Sequence, residues 1–156
     1  MHGYAAPKLD VVRVAVIGIG NRGSGTVSRL ASIEGVEIKA LCDLEHARVS
    51  KAIESIRHLG HLPDAYSGHE DEWKKVCERK DIDLIAIVTP WHLHTPMCLH
   101  SMEHDKHAYT ELPAATTIDE CWQLVETSEK TQKHCVQMSS NCHTDIRAVL
   151  LNMVRQ

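Results

Sequence analysis

The sequence predicts an α/β protein of the Rossmann type: a doubly wound parallel sheet of strand order 3-2-1-4-5-6 with helices on both faces. Three observations point there. A β-branched run ends in a glycine turn that opens a helix, strand-like and helix-like segments alternate along the chain, and one later segment is continuously apolar. Alternation favours parallel neighbours, because these need crossover connections, and right-handed crossovers place helices on both faces.

The first strand is residues 11–17 (VVRVAVI), followed by the turn Gly18-Ile19-Gly20-Asn21-Arg22-Gly23. A helix from Arg22 to about Ile33 carries Val27, Leu30, Ala31 and Ile33 at mostly helical spacing. Val36 to Cys42 is the second strand and stops at Asp43; Leu44 to Leu59 repeats Ala47, Val49, Ala52, Ile53 and Ile56 on one helical face. A short third strand is expected at 62–66 and a helix at 70–79, with Trp73, Val76 and Cys77 inward. Leu84 to Val88 is apolar throughout, as suits a strand buried on both faces. Beyond it come a helix at 95–103, a strand at 106–110, a helix at 118–130 that sets Trp122, Leu124 and Val125 against the sheet, and a sixth strand at 135–139. Residues 144–156 form a last amphipathic helix (Ile146, Val149, Leu150, Met153, Val154) with no Gly or Pro stop. The expected organisation is a dinucleotide-binding domain over 1–143, with 144–156 beginning a helix that leads to a further domain.

Composition narrows the function classes. At 156 residues the chain fits one domain, with 43% hydrophobic and 24% charged residues, as in soluble globular proteins. No apolar run approaches the roughly 20 residues that span a bilayer. A net charge of -4, without clustered Lys and Arg, argues against a nucleic-acid partner. The six cysteines show no Cys-x-x-Cys spacing and are expected to be reduced and mostly buried. Met1 to Pro7 lacks the basic and apolar regions of an export signal.

The glycine turn carries the chemistry. Gly18 permits the tight turn, Gly20 lets backbone approach a pyrophosphate, and Gly23 allows close helix packing, while the helix N-terminus offers free N–H groups and partial positive charge. Asp43, some 20 residues on at the end of the second strand, is placed to accept hydrogen bonds from ribose hydroxyls. A carboxylate there repels a 2′-phosphate, so NAD is expected over NADP. The competing reading is a sharp structural turn with an acidic cap at Asp43. Trp91, His92, Leu93 and His94 follow the fourth strand at the sheet's carboxyl end. They read equally as ribose or nicotinamide contacts and as a surface turn stiffened by Pro90 and Pro96. His100 and His104 have the i, i+4 spacing of a chelating pair, but no acidic third ligand is identifiable; they are expected on a solvated helix face, with no metal site. Cys42 is read as strand packing rather than a nucleophile.

With these residues in view, the sequence resembles the glucose-fructose oxidoreductase and inositol dehydrogenase group (Gfo/Idh/MocA), most of all its NAD-dependent α-N-acetylgalactosaminidases, glycoside hydrolase family 109. The stretches that carry the resemblance are GIGNRG, ALCDLE, WKKVCERKDIDL, TPWHLHTP, ELPAA, TIDECWQLV and the terminal LNMVRQ. It implies NAD contacts from Asn21, Arg22, Asp43, Trp91 to His94, Glu111, Leu112 and Asn141, and it gives the Trp-His loop the cofactor role. It implies hydrolysis of terminal N-acetylgalactosamine by hydride removal at sugar C3, elimination of the glycosidic oxygen, water addition and hydride return, unlike two-carboxylate glycosidases. Many dehydrogenases of the wider group carry Glu-Lys-Pro where this chain has Glu111-Leu112-Pro113, and leucine cannot act as acid or base. Around Ser139 to Thr144 the chain departs from the family's Glu before Asn141 and Cys-Tyr after it. Family members continue into a second α/β domain holding the substrate pocket and the acid and base, so no catalytic residue is expected in this chain. The alternatives are an NAD-dependent sugar or inositol dehydrogenase fragment and a non-catalytic dinucleotide-binding module. The sequence by itself suggests a cytoplasmic protein; the resemblance suggests export for some bacterial members.

Overall fold

A computed structural model describes residues 4–138. Asn141, the sixth strand's Ser139, Cys142 and the helix expected at 144–156 lie outside the described residues. Six parallel strands form one sheet in the order expected, β3-β2-β1-β4-β5-β6, from β1 (Val12–Ile17), β2 (Val36–Asp43), β3 (Asp64–Ser67), β4 (Leu84–Ile87), β5 (His107–Glu111) and β6 (Cys135–Met138). Helices α1 (Asn21–Ala31) and α2 (His46–Ile56) cover one face, and α3 (Glu72–Glu78), α4 (His94–Glu103) and α5 (Ile118–Thr131) cover the other.

The alternation of side chains across β1 divides the core. Val14 and Val16 pack with Val27 of α1 and Val49 of α2, whereas Ala15 and Ile17 pack with Val76 of α3 and Met97 of α4. The switch from β1 back to β4 leaves a crevice at the strands' carboxyl ends, into which the loops after β1, β2, β4 and β5 all open.

Three expectations are corrected. The third strand begins at Asp64, not at residue 62: Pro63 has no N–H to give a ladder, and His61 turns inward, where Nδ1 accepts the Ile38 N–H at 3.3 Å. The second helix closes at Ile56 and ends in a separate 3-10 turn, Arg57–Leu59. On α5 only Leu124 meets the core; Trp122 and Val125 are 61% and 40% exposed. The inward stripe of α5 is Glu120, Leu124, Ser128 and Thr131, mostly polar, and Ser128 spends its hydroxyl on the Lys133 carbonyl at 2.6 Å. The apolar stripe Ile118, Trp122, Val125 points the other way. The α5 N-terminus is fixed by a capping box, with Thr117 Oγ1 accepting from Glu120 N–H and Glu120 Oε2 accepting from Thr117 N–H, both at 3.1 Å.

Candidate functional site

The glycines of the turn after β1 have separable roles. Gly18 sits at φ +89°, and a Cβ there would lie 2.5 Å from the Val88 carbonyl oxygen. A Cβ on Gly23 would lie 1.9 Å from the Gly18 carbonyl oxygen, so the first turn of α1 rests directly on the loop backbone. At Gly20 the nearest atom to an added Cβ is Arg48 Nη1 at 3.8 Å. Protein packing requires the first and third glycines, while the second borders open space.

Gly20 is also the N-cap of α1. No side chain caps the helix, and its first turn holds no acidic residue, so the partial positive charge of the N-terminus faces the crevice uncompensated. Asn21 and Arg22 stand exposed beside it.

Asp43, the last residue of β2, buries its carboxylate below the turn. Oδ2 accepts the Ile19 N–H at 2.6 Å and Oδ1 accepts the Glu45 N–H at 2.9 Å. Arg48 lies 3.8 Å from Oδ1 and is itself held by Glu45 at 2.7 Å, so the guanidinium is matched by two carboxylates. The structural cap and the ligand-facing carboxylate are thus not exclusive: each oxygen keeps a second lone pair.

After β4, Trp91–Leu93 form a 3-10 turn leading into α4. Trp91 and His92 are exposed at the rim and Leu93 packs against the core. His94 is buried, with Nδ1 at 2.8 Å from the Pro113 carbonyl and Nε2 at 2.8 Å from the Thr89 carbonyl. Its ring bridges the loop after β4 and the loop after β5, with each nitrogen facing a carbonyl oxygen that can only accept, so it stands as a strut between backbone segments.

Glu111, at the end of β5, is buried, and its Oε2 has no hydrogen-bond partner among the described residues. Arg22 Nη2 lies 3.5 Å from that oxygen, an ion-pair distance without hydrogen-bond geometry. A buried carboxylate oxygen without a hydrogen bond is costly, about 1–3 kcal/mol or more, and calls for a donor that the described residues do not supply. Leu112 follows at the lip, exposed and without a polar atom.

These groups line one cleft of about 840 Å³, within the range of small-molecule and cofactor sites. Gly18, Gly20, Asn21, Arg22, Asp43, Trp91 to His94, Glu111 and Leu112 border it; Gly23 lies behind the wall. The sequence reading missed the far wall, where Leu44, Arg48, His69 and Trp73 stand. Their signal was positional only: they lie just past the carboxyl ends of β2 and β3. Cys42 is buried, and burial and the Asp43 charge push its thiol up to about 12, which bears out packing over nucleophilicity. Among the described residues no helix is long and apolar enough to cross a membrane.

Comparison with known proteins places this geometry. Residues 12–139 match the model of the oxidoreductase family with the NAD-binding Rossmann fold, GFO_IDH_MocA. An alpha-N-acetylgalactosaminidase of Bacteroides fragilis is 50% identical over 155 residues, covering 99% of this chain and 36% of the relative. A glycosyl hydrolase family 109 protein of the same species is 51% identical over 156 residues, covering 99% of the chain and 33% of the relative. The chain therefore spans about a third of the length of these curated relatives. Among solved structures, a myo-inositol dehydrogenase from Lactobacillus casei in complex with NAD(H) and myo-inositol superposes with a TM-score of 0.74 at 26% identity, over 93% of this chain and 42% of that one.

Proposed function

The chain belongs to the Gfo/Idh/MocA oxidoreductase family with its NAD-binding Rossmann fold, and from that premise we propose that residues 1–143 bind NAD as the first domain of an enzyme that hydrolyses terminal N-acetylgalactosamine. The observation that carries the reading is the match to family 109 glycosidases along essentially the whole chain, at half identity. The local chemistry agrees with it. Leu112 occupies the position where many dehydrogenases of the group hold a lysine, so the chain offers no proton-transfer group there.

The residues present fit the dinucleotide. The uncapped N-terminus of α1 and the open side of Gly20 receive the pyrophosphate. Asp43 accepts from the adenine-side ribose hydroxyls with its remaining lone pairs and disfavours a 2′-phosphate, which selects NAD over NADP. Leu44 and Trp73 give that side of the cleft its apolar wall. Glu111 and Arg22 hold the other end, where the orphaned Oε2 takes a hydroxyl or amide donor. Trp91, His92 and Leu93 close the rim, His94 fixes the loop that carries them, and Asn141 joins the set from outside the described residues. When bound, the dinucleotide would supply a reversible hydride acceptor for the sugar. The chain's own part is to bind, orient and exclude water; the acid and base of the sugar steps would belong to the further domain to which the 144–156 helix leads.

Two measurements test this. Calorimetry on the chain is expected to give tighter binding of NAD than of NADP, and equal affinities overturn the cofactor assignment. The full-length gene product is expected to release a chromophore from an aryl α-N-acetylgalactosaminide without net accumulation of NADH and with solvent deuterium entering sugar C2. Net NADH formation on a free sugar or inositol, without hydrolysis, would instead support the dehydrogenase reading that the inositol dehydrogenase likeness favours.

A further inference from the structure

A second group of ligating side chains lies where α3 meets α4. His100 and His104 stand one helical turn apart, as the sequence spacing indicates, but they are half-buried rather than solvated. The acidic partner absent from the local sequence comes from α3: Glu78, its last residue, reaches the pair so that ligand atoms of all three lie within 4.8 Å of one another. It is the only such group of three among the described residues.

The details favour a metal over an ordinary surface cluster. His100 Nε2 is buried with no hydrogen-bond partner among the described residues, and Glu78 Oε1 lies 4.0 Å from it. His104 places Nδ1 2.8 Å from the His100 carbonyl, and because a carbonyl only accepts, Nδ1 carries the proton and Nε2 keeps its lone pair for a ligand. Metal-binding histidines are commonly oriented through such a bond on the other ring nitrogen. The two imidazole centroids are 4.0 Å apart, and the edge of Trp73 meets the His100 ring at 5.1 Å and 78°, which fixes its plane.

We propose that Glu78, His100 and His104 form a binding site for a divalent transition-metal ion of the zinc type, with water in the fourth position. Two imidazoles and one carboxylate suit zinc rather than calcium or magnesium. Tetrahedral zinc with bonds of about 2.0–2.2 Å needs its ligand atoms about 3.3 Å apart, so the triad must draw in by about an ångström. The exposed Glu78 side chain is free to make that movement. The ion clamps the end of α3 to the end of α4, on the helices behind the cleft, and is independent of the dinucleotide proposal.

The test is a zinc titration of the tag-free full chain kept reduced by a phosphine, followed by calorimetry and thermal melting, with cobalt as spectroscopic probe. One equivalent is expected to bind, raising Tm by about 5–10 °C when free zinc stands at a hundredfold Kd. Cobalt is expected to give visible d–d bands without thiolate charge transfer. Glu78→Gln and His104→Gln are each expected to weaken binding at least tenfold; Glu78→Gln, at an exposed position, leaves the metal-free melting temperature in place and keeps the comparison valid. No saturable binding, binding equally tight in both variants, or a cobalt–thiolate band would overturn the proposal.

Discussion

The Asp43 carboxylate accepts the Ile19 N–H at 2.6 Å, so the residue expected to recognise ribose also anchors the middle of the glycine turn. Asp43→Ala removes an acceptor from two backbone N–H groups, those of Ile19 and Glu45, and is expected to destabilise the chain by about 1–3 kcal/mol while eroding the preference for NAD over NADP. Chemical denaturation and calorimetry on the same variant separate the two effects. A variant that melts like the parent would show that neither contact matters to the fold.

Gly20 and Gly23 are expected to respond oppositely to alanine. Gly20→Ala meets open space and should leave Tm within a degree or two, but cost NAD affinity tenfold or more, because its methyl occupies the side from which a pyrophosphate approaches. Gly23→Ala should destabilise by more than about 2 kcal/mol, even though Gly to Ala within a helix ordinarily gains about 1 kcal/mol, since its Cβ falls 1.9 Å from the Gly18 carbonyl oxygen. Melting curves with and without NAD decide both.

Glu111→Gln replaces a buried carboxylate, whose Oε2 has no hydrogen bond and only the 3.5 Å approach of the exposed Arg22, by a neutral amide of the same shape. Thermal melting without ligand should show equal or greater stability, and calorimetry a weaker NAD complex. Loss of stability with unchanged NAD affinity would assign Glu111 to the scaffold instead.

Arg13 and Asp83 join the starts of β1 and β4 through side-chain bonds of 2.6 and 2.9 Å and the Arg13 N–H at 2.9 Å. Hydrogen bonding to Arg13 holds the Asp83 carboxyl below the usual carboxylate range, against the opposing effect of its burial. Its stabilisation is therefore fully present above the unfolded value near ~3.9 and is lost as pH falls through the lower folded value. Asp83→Asn should lower Tm at neutral pH, with the gap to the parent narrowing below about pH 4. A gap that stays constant from pH 7 to about pH 3 contradicts the linkage.

How much was legible followed from how local each signal was. The strand order and the roles of Gly18 and Gly23 rest on short-range patterns, β-branched runs and a turn that must pass under a helix, and these appear in the sequence directly. What failed was phase and reach. On α5 the sequence set Trp122, Leu124 and Val125 against the sheet, yet tertiary packing kept only Leu124 there, within a mostly polar stripe, and turned Trp122 and Val125 outward. The acidic companion of His100 and His104 is Glu78, more than twenty positions earlier on another helix, where no spacing rule connects them. The contact of His94 with the Pro113 carbonyl was invisible for the same reason, because Pro113 arrives from the loop after another strand.

The close approach of Gly23 to the Gly18 carbonyl, and of the Gly18 Cα side to the Val88 carbonyl, means that folding alone sets the shape of the cofactor cradle. A dinucleotide arriving there meets a seat that is already rigid, so little chain entropy remains to be lost on docking. Association should then be limited by the orientation of the encounter rather than by loop rearrangement, and differences in affinity among variants at the turn should surface in dissociation rates.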